Sequence, residues 1–188
     1  MNLLRNFPKS HFTIRFLNDS TDGELLKSVD EMKDLGVMID SKLSFSSHIA
    51  QIVAKAKQRL FLIFRSFRTR DRAPLLVAFK SFILPILGYC SSTWSPHLLG
   101  DIQTIESIQR LFTRKLTGLD KMTYPERLKI LNLPSLELRR LRADLLMCFK
   151  ILNGYVAGDI SNYGLSYSNT NTRGHVQKLF VEHSKIDV

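Results

Sequence analysis

Apolar residues recur at two different spacings along this chain, an alternating one near the N-terminus and a helical one over most of the rest. Residues 11–17 alternate apolar and polar positions, and residues 27–32 and 35–40 could form two further short strands. Short polar residues over 18–23 predict a turn between them. Two or three strands make a poor domain alone, so residues 1–44 are expected to be a β edge of something larger.

The longest helical pattern begins after Phe45. Ser46 or Ser47 is expected to cap the helix, with Phe45 as a hydrophobic staple. Apolar positions then recur every three or four residues over about six turns. The predicted buried stripe consists of Ile49, Ile52, Val53, Ala56, Leu60, Ile63 and Phe67.

Two further helices are predicted in the middle of the chain. One runs over residues 73–84 and is broken at Pro85. The next is expected to begin with a cap at Asp101, to end at Leu116 and to be stopped by Gly118. Its predicted buried face comprises Ile102, Ile105, Ile108, Phe112 and Leu116.

The last two helices carry clear start signals. Thr123 and Glu126 form a capping box that opens a short helix ending near residue 131. Ser135 caps a final strong helix that ends before Asn153 and Gly154. Its predicted buried stripe is Leu138, Leu141, Leu145, Cys148, Phe149 and Leu152.

These elements predict a mainly α fold with a small N-terminal β edge of two or three short strands and about five helices. The expected organisation is a β edge over residues 1–44, a helical domain over 45–157 and an irregular tail over 158–188. The two cysteines, Cys90 and Cys148, are expected to be buried free thiols, and Trp94 a packing residue.

Charge changes the picture more than composition does. The net charge is +10, and residues 41–72 alone carry eight Lys or Arg against one Asp. Such a stretch favours polyanions, phosphate backbones first.

Phe61, Phe64 and Phe67 interleave with the basic residues, as in a surface that follows a nucleic-acid strand. The competing interpretation is a solvated helix face above core phenylalanines, and the residues alone leave both open. Two basic triplets add to the positive charge: Arg110, Arg114 and Lys115, and Arg139, Arg140 and Arg142.

Motifs for most enzyme chemistry are missing from the sequence. It contains no CxxC, no HExxH, no glycine-rich phosphate loop and no GxSxG elbow. Asp30, Asp34 and Asp40 could share a strand face, with Glu31 beside them, but solvated turns and strand ends explain them as well. The chain has neither a secretory signal nor an apolar run of about 20 residues, so an intracellular location without a membrane span is expected.

Four stretches in order resemble the non-LTR retrotransposon (LINE) reverse transcriptases of the jockey-like kind. They are KDLGVMIDSKLSFSSH at 33–48, YCSSTWSP at 89–96, DIQTIESIQRLFTRKLTG at 101–118, and residues 123–154, which read LPSLELRRLRADLLMCFKILNG from residue 133 onward. TRGH at 172–175 is similar to a motif in the family's tail. The resemblance runs from about residue 27 to 180.

The resemblance implies the part of such a polymerase that follows the catalytic palm. Residues 35–40 would belong to the palm–thumb junction, and the helices to the thumb and the region after it. The family's catalytic aspartates and its downstream WNxLP motif are not present here, so the chain resembles a fragment. No independent catalysis and no cofactor are expected of it, with Mg²⁺ belonging to the missing palm.

The expected partners are a template–primer duplex and the missing palm and fingers. Backbone contacts are predicted for Lys55, Lys57, Arg59, Arg65, Arg68, Arg70 and Arg72. Two alternatives stay open. One is a helical protein-interaction module that packs on another subunit, and the other is an enzyme whose polymerase activity depends on residues outside this chain.

Overall fold

A computed structural model describes residues 29–158, 160–163, 165–168 and 178–180. It confirms a mainly helical fold with a small N-terminal sheet. The described elements are β1 (Glu31–Asp34), β2 (Val37–Asp40), α1 (Ser46–Ser66), α2 (Arg72–Phe82), α3 (Leu84–Gly88), α4 (Ser91–Trp94), α5 (Leu99–Arg114), α6 (Tyr124–Leu131), α7 (Leu136–Leu152) and a 3-10 helix (Ile160–Tyr163). The predicted strand at 11–17 and turn at 18–23 lie outside the described residues.

The two strands form an antiparallel hairpin whose register pairs Glu31 with Asp40 and Asp34 with Val37. Its turn is Leu35 and Gly36, and both have positive φ, 43° and 90°. A two-residue hairpin turn of this kind requires that conformation at both positions. The predicted start of the 35–40 strand was therefore wrong, because residues 35 and 36 form the turn. The predicted strand at 27–32 overlaps β1, which begins at Glu31 and continues to Asp34, and residues 27 and 28 lie outside the described residues.

Asp40 organises the loop that leads into α1. Its carboxylate accepts hydrogen bonds from the backbone N–H groups of Lys42, Ser44 and Phe45 at 2.8–3.1 Å, and from the Ser44 hydroxyl at 3.0 Å. Partial burial raises the pKa of this carboxyl, but the hydrogen bonds from Ser44, Phe45 and Lys42 outweigh it and hold the pKa below its usual value. Asp40 is thus a structural residue of the loop.

The predicted serine cap of α1 was wrong. Phe45 occupies the cap position in a left-handed conformation, with φ of 58°, and no side chain caps the helix there. The Ser46 hydroxyl donates to Asp101 at 2.9 Å, and the Ser47 hydroxyl donates to Glu31 at 3.2 Å. Both serines therefore join α1 to other elements, because the Asp40 loop already fixes the start of the helix.

The core lies between α1 and α5, with α2 and α3 beside it. Five predicted stripe residues of α1 are buried, and Val53 and Phe67 pack against them from the edge. On α5 the predicted face is buried except for the partly exposed Ile102. Phe79 of α2 stacks on Phe112 with ring centroids 4.1 Å apart. Trp94, a packing residue as predicted, is fully buried and donates from its indole N–H to the Tyr89 carbonyl at 2.7 Å.

Helix starts after residue 90 match the predictions only in part. The short α4 was not predicted, and α5 begins at Leu99 with Asp101 inside its first turn, so the Asp101 cap was wrong. The capping box of Thr123 and Glu126 is confirmed. The Ser135 cap is confirmed as well, since its side chain accepts from the Leu138 N–H at 3.1 Å.

Helix α7 has the opposite orientation to the one predicted. Leu145 and Phe149 of the predicted buried stripe are each 56% exposed, and Leu138 and Leu141 are 39% exposed. The buried residues of the helix are Leu136, Arg140, Asp144 and Ile151. The prediction was wrong because it used the apolar period alone, whereas polar contacts at the start of α7, described below, turn its charged face inward.

Candidate nucleic-acid interface

The basic residues of α1 lie on the surface that its buried stripe leaves free. Residues 52, 56, 60 and 63 face the core, so the side chains on the opposite face of the helix project outward. Lys55, Lys57, Arg59 and Arg65 on the helix, and Arg68 just after it, are all exposed. Arg70 in the following turn and Arg72 at the start of α2 are exposed as well, so every residue predicted for backbone contact is accessible and six of the seven lie on α1 and the turn that follows.

The three phenylalanines beside these basic residues occupy different environments. Phe64 is buried and stacks on Phe112 with ring centroids 6.1 Å apart. Phe67 is half-buried against the core, and Phe61 is 52% exposed. Phe64 and Phe67 thus fit the interpretation as core residues, and Phe61 is the aromatic ring of the three that a ligand can reach.

Arg70 and Arg72 hold the turn between α1 and α2 in place. Arg70 donates from Nη1 to the Phe64 carbonyl at 2.8 Å, and its guanidinium lies 4.7 Å above the Phe64 ring. Arg72 donates from Nε to the Thr117 carbonyl at 3.0 Å. Thr117 in turn donates from its N–H and its hydroxyl to the Arg70 carbonyl at 3.1 and 3.0 Å. These two arginines already use donors within the protein, although both remain exposed.

The hairpin is attached to the first turn of α1 and to the end of α3. His48 is buried, and its Nδ1 accepts from the Met38 N–H at 3.3 Å. Its ring meets Trp94 edge-on at 5.2 Å. The Tyr89 hydroxyl donates to the Leu35 carbonyl at 3.0 Å, across the hairpin turn. The basic helix and the hairpin therefore form one joined surface.

A buried polar network at the start of α7 was missed by the sequence analysis. Glu106 of α5 accepts from the Tyr124 hydroxyl and from the backbone N–H groups of Leu136 and Glu137 at 3.0–3.3 Å. A carboxylate at a helix N-terminus binds free N–H groups and interacts favourably with the helix dipole. Gln109 donates from its side chain to Tyr124 at 3.2 Å and to the Pro134 carbonyl at 2.9 Å. Burial and the bond to Glu106 raise the pKa of Tyr124.

The inward face of α7 carries two charged groups. Arg140 and Asp144 are each 4% exposed. Burial lowers the pKa of Arg140 and raises that of Asp144, which also has a hydrogen bond with Ser92 of α4. Of the two predicted basic triplets, Arg110, Arg114 and Lys115 are exposed, but Arg140 of the second is not. The sequence signal available for this burial was weak: Glu106, Arg140 and Asp144 stand among ordinary helix-face charges.

The cysteines differ from the prediction. Cys90 is exposed and Cys148 is half-buried, so neither is a fully buried thiol. Cys90 has a left-handed backbone, with φ of 50°, at the turn between α3 and α4. Within the described ranges, no three His, Cys, Asp or Glu side chains come close enough together to hold a metal ion. No described helix combines the length and apolar character needed to cross a bilayer.

Comparison with known proteins gives one distant relative. No protein-family model matches the chain, and no solved structure matches it. Among curated proteins, Uncharacterized protein B0403.1 of Caenorhabditis elegans is 24% identical over 136 residues, which cover 70% of this chain and 69% of the relative. This similarity does not assign the chain to a family, and the relative's name states no activity.

Proposed function

We propose that this chain is the thumb-like segment of a non-LTR retrotransposon reverse transcriptase, and that it holds a template–primer duplex without catalysing nucleotide transfer. The observation that carries the proposal is the exposed basic surface of α1, joined to the hairpin through His48. Phosphate contacts position a duplex without reading its sequence, which is what a thumb requires. The resemblance of residues 27–180 to that family supports the assignment.

The predicted contact residues fall into two groups, according to the hydrogen bonds that the structure gives their side chains. Lys55, Lys57, Arg59, Arg65 and Arg68 are the proposed phosphate ligands. Arg70 and Arg72 are proposed to set the shape of the turn first, because their donors bind the carbonyls of Phe64 and Thr117. In this proposal the palm and fingers supply the catalytic carboxylates, and Mg²⁺ binds there.

Duplex binding as a function of salt tests the proposal. The triple variant Lys55→Gln, Lys57→Gln, Arg59→Gln should weaken binding by a similar factor on unrelated sequences. It should also reduce the slope of log affinity against log salt by about 0.9 for each phosphate that the variant no longer neutralises. Fluorescence anisotropy with a labelled duplex measures both quantities. The matched control is Lys121→Gln, Lys129→Gln, Lys150→Gln, three exposed lysines on other parts of the chain.

Two results would contradict the proposal. One is affinity that does not change with salt, and the other is a control triple whose affinity falls as far as that of the α1 triple. A primer-extension assay on the 188 residues addresses the enzyme alternative, since nucleotide incorporation would mean that the chain catalyses the transfer itself.

A second candidate function rests on the outward face of α7. Leu145, Leu146 and Phe149 are each more than half exposed on one helix, beside Leu138 and Leu141. An apolar patch of this kind often marks a protein interface. We propose that this face docks on another subunit, the rest of the polymerase in the first instance.

Light scattering tests the docking function. The isolated chain should self-associate through the uncovered face, and the variant Leu145→Glu, Phe149→Glu should be monodisperse. Val77→Glu, at an exposed apolar residue of α2, is the control and should behave as the unchanged chain does. A monomeric unchanged chain at high concentration would count against this function.

A further inference from the structure

A cleft of about 620 Å³ lies between α7 on one side and α3 and the α3–α4 turn on the other. This volume is within the usual range of ligand-binding clefts. Much of its wall is apolar and comes from Leu84, Pro85, Leu87, Leu136 and Leu146. Among the described residues that line it, every charged one is an arginine: Arg139, Arg140 and Arg142.

Arg140 is the unusual member of this wall. Arg140 is only 4% exposed, yet Nη1 and Nη2 of its side chain have no hydrogen-bond acceptor among the described residues. Buried donors without acceptors are costly, and a guanidinium carries five donors in a fixed fork. Nη1 and Nη2 are therefore unsatisfied donors, and the nearest unsatisfied acceptor along α7 is Oδ1 of Asp144, four residues on.

The neighbouring carboxylates balance the charge of Arg140 without using these donors. Glu106, Glu137 and Asp144 all favour the charged guanidinium electrostatically. Glu106 accepts from Tyr124 and the start of α7, and Asp144 has a hydrogen bond with Ser92 but keeps its Oδ1 buried without a partner. Charge compensation explains how the arginine tolerates burial. Nη1 and Nη2 are themselves buried, so a ligand reaches them only when the Arg140 side chain swings into the cleft that it lines.

We propose that this cleft binds a phosphate group of a single-stranded nucleic acid, with Arg140 as the deep donor and Arg139 and Arg142 at the mouth. A guanidinium fork matches the oxygens of a phosphate in a bidentate manner. The apolar wall and Tyr89, 54% exposed with its hydroxyl fixed to Leu35, suit an unstacked base. A duplex keeps its bases stacked inside, so the cleft favours a single strand. The site is separate from the duplex contacts proposed for α1.

Filling the cleft is the most direct test, and Gly88 makes it possible. Gly88 lines the cleft, and a Cβ built on it meets no described atom within 4 Å. Gly88→Phe should therefore occupy the cleft without changing its charge. Gly100→Phe is the matched control, since Gly100 has the same free space, lies on α5 and is not among the lining residues. The probe is a fluorescein-labelled oligodeoxythymidine of roughly eight nucleotides.

Fluorescence anisotropy should show that Gly88→Phe binds the oligonucleotide about tenfold more weakly or worse, while Gly100→Phe binds as the unchanged chain does. Arg140→Lys, which keeps the charge and removes the fork, should weaken binding to a comparable degree, with its melting temperature measured beside it. The exposed pair Arg139→Gln, Arg142→Gln provides the same test without disturbing a buried group. Normal binding by both Gly88→Phe and the exposed pair would overturn the proposal.

Two further results separate this site from the α1 surface. If the Lys55, Lys57 and Arg59 triple no longer binds the oligonucleotide and Gly88→Phe still does, the strand binds on α1. The cleft proposal then fails, while the duplex contacts proposed for α1 stand. If Gly88→Phe no longer binds the oligonucleotide but keeps duplex affinity, the cleft proposal is supported whether or not the α1 contacts exist. An oligoglutamate peptide that displaces the strand equally well would overturn the assignment to nucleic acid.

Discussion

Helices α1 and α7 are both long and amphipathic, yet they face the core in opposite ways. On α1 the apolar stripe is buried and the basic residues are exposed. On α7 the leucines at 138, 141 and 145 are outside, while Arg140 and Asp144 are inside. Apolar spacing identified both helices, but it identified the inward face of only one. The difference lies in what fixes each helix to its neighbours.

Hydrophobic burial orients α1, because its stripe packs over several turns against α5. Polar contacts at one end orient α7. Glu106 binds the Leu136 and Glu137 N–H groups, and Ser92 bonds to Asp144 about two turns further along. A buried charge without its partner costs about 3–5 kcal/mol, which matches or exceeds the gain from burying a single leucine. A few such contacts can thus decide which face of a helix is inside.

Replacing Glu106 should give the largest effect in the molecule. Glu106→Ala removes the acceptor of the Tyr124 hydroxyl and of two α7 N–H groups, and removes one of the carboxylates that balance Arg140. We expect the free energy of unfolding, measured by urea denaturation, to fall by about 3–5 kcal/mol. Amide hydrogen exchange should accelerate first in α7, with α1 protected longer.

Asp120→Ala, at an exposed residue outside this network, is the control for that destabilisation and should change stability by about 0.5 kcal/mol or less. Glu106→Gln, which retains part of the hydrogen bonding, should fall between the two. If Glu106→Ala unfolds at the same urea concentration as Asp120→Ala, polar contacts do not orient α7 and the two helices do not differ in the way described.

A matched pair of leucine substitutions should separate the two helices next. Leu60 of α1 is fully buried, so Leu60→Ala should cost about 2–5 kcal/mol through reduced burial and a cavity. Leu145 of α7 is 56% exposed, so Leu145→Ala should cost about 0.5 kcal/mol or less in the monomer. Urea denaturation at low protein concentration measures both. Equal destabilisation would place Leu145 in the core, as its spacing in the sequence suggested.

Local signals in the sequence predicted much of the fold. The Thr123–Glu126 capping box, the Ser135 cap and the α1 stripe depend on residues within a turn or two of one another, and the structure confirms them. Ser46 and Asp101 each suggested a cap in the same way. The two side chains instead bond to one another across 55 residues, a contact that no local pattern indicates.

The candidate sites show the same difference between features that are local in the sequence and contacts that are distant in it. The basic stretch after residue 41 is a local feature, and the structure places its side chains on the surface. Glu106 and Gln109 occur in the sequence as ordinary polar residues of an amphipathic helix. Their burial, and that of Arg140, became visible only once α5, α6 and α7 were placed together. The cleft between α3 and α7 likewise depends on residues that are about 50 positions apart.

Acid should expose a smaller difference between the helices, since the buried polar residue of α1 is a histidine that the fold holds neutral. Burial, together with the charge of Lys33, lowers the pKa of His48 below its ordinary 6.5, and Nδ1 must be unprotonated to accept from the Met38 N–H. The unfolded chain therefore binds a proton at higher pH than the folded one. Stability from His48 is complete above about pH 6.5 and falls as the pH drops toward the lowered value, by at most about 1.4 kcal/mol per pH unit.

His48→Asn keeps an acceptor and cannot titrate, so its urea midpoint should fall less than that of the unchanged chain between about pH 7 and pH 5. Identical falls in the two proteins would show that His48 titrates in the folded state as it does in the unfolded chain, and that the junction between α1 and the hairpin does not bury a neutral imidazole.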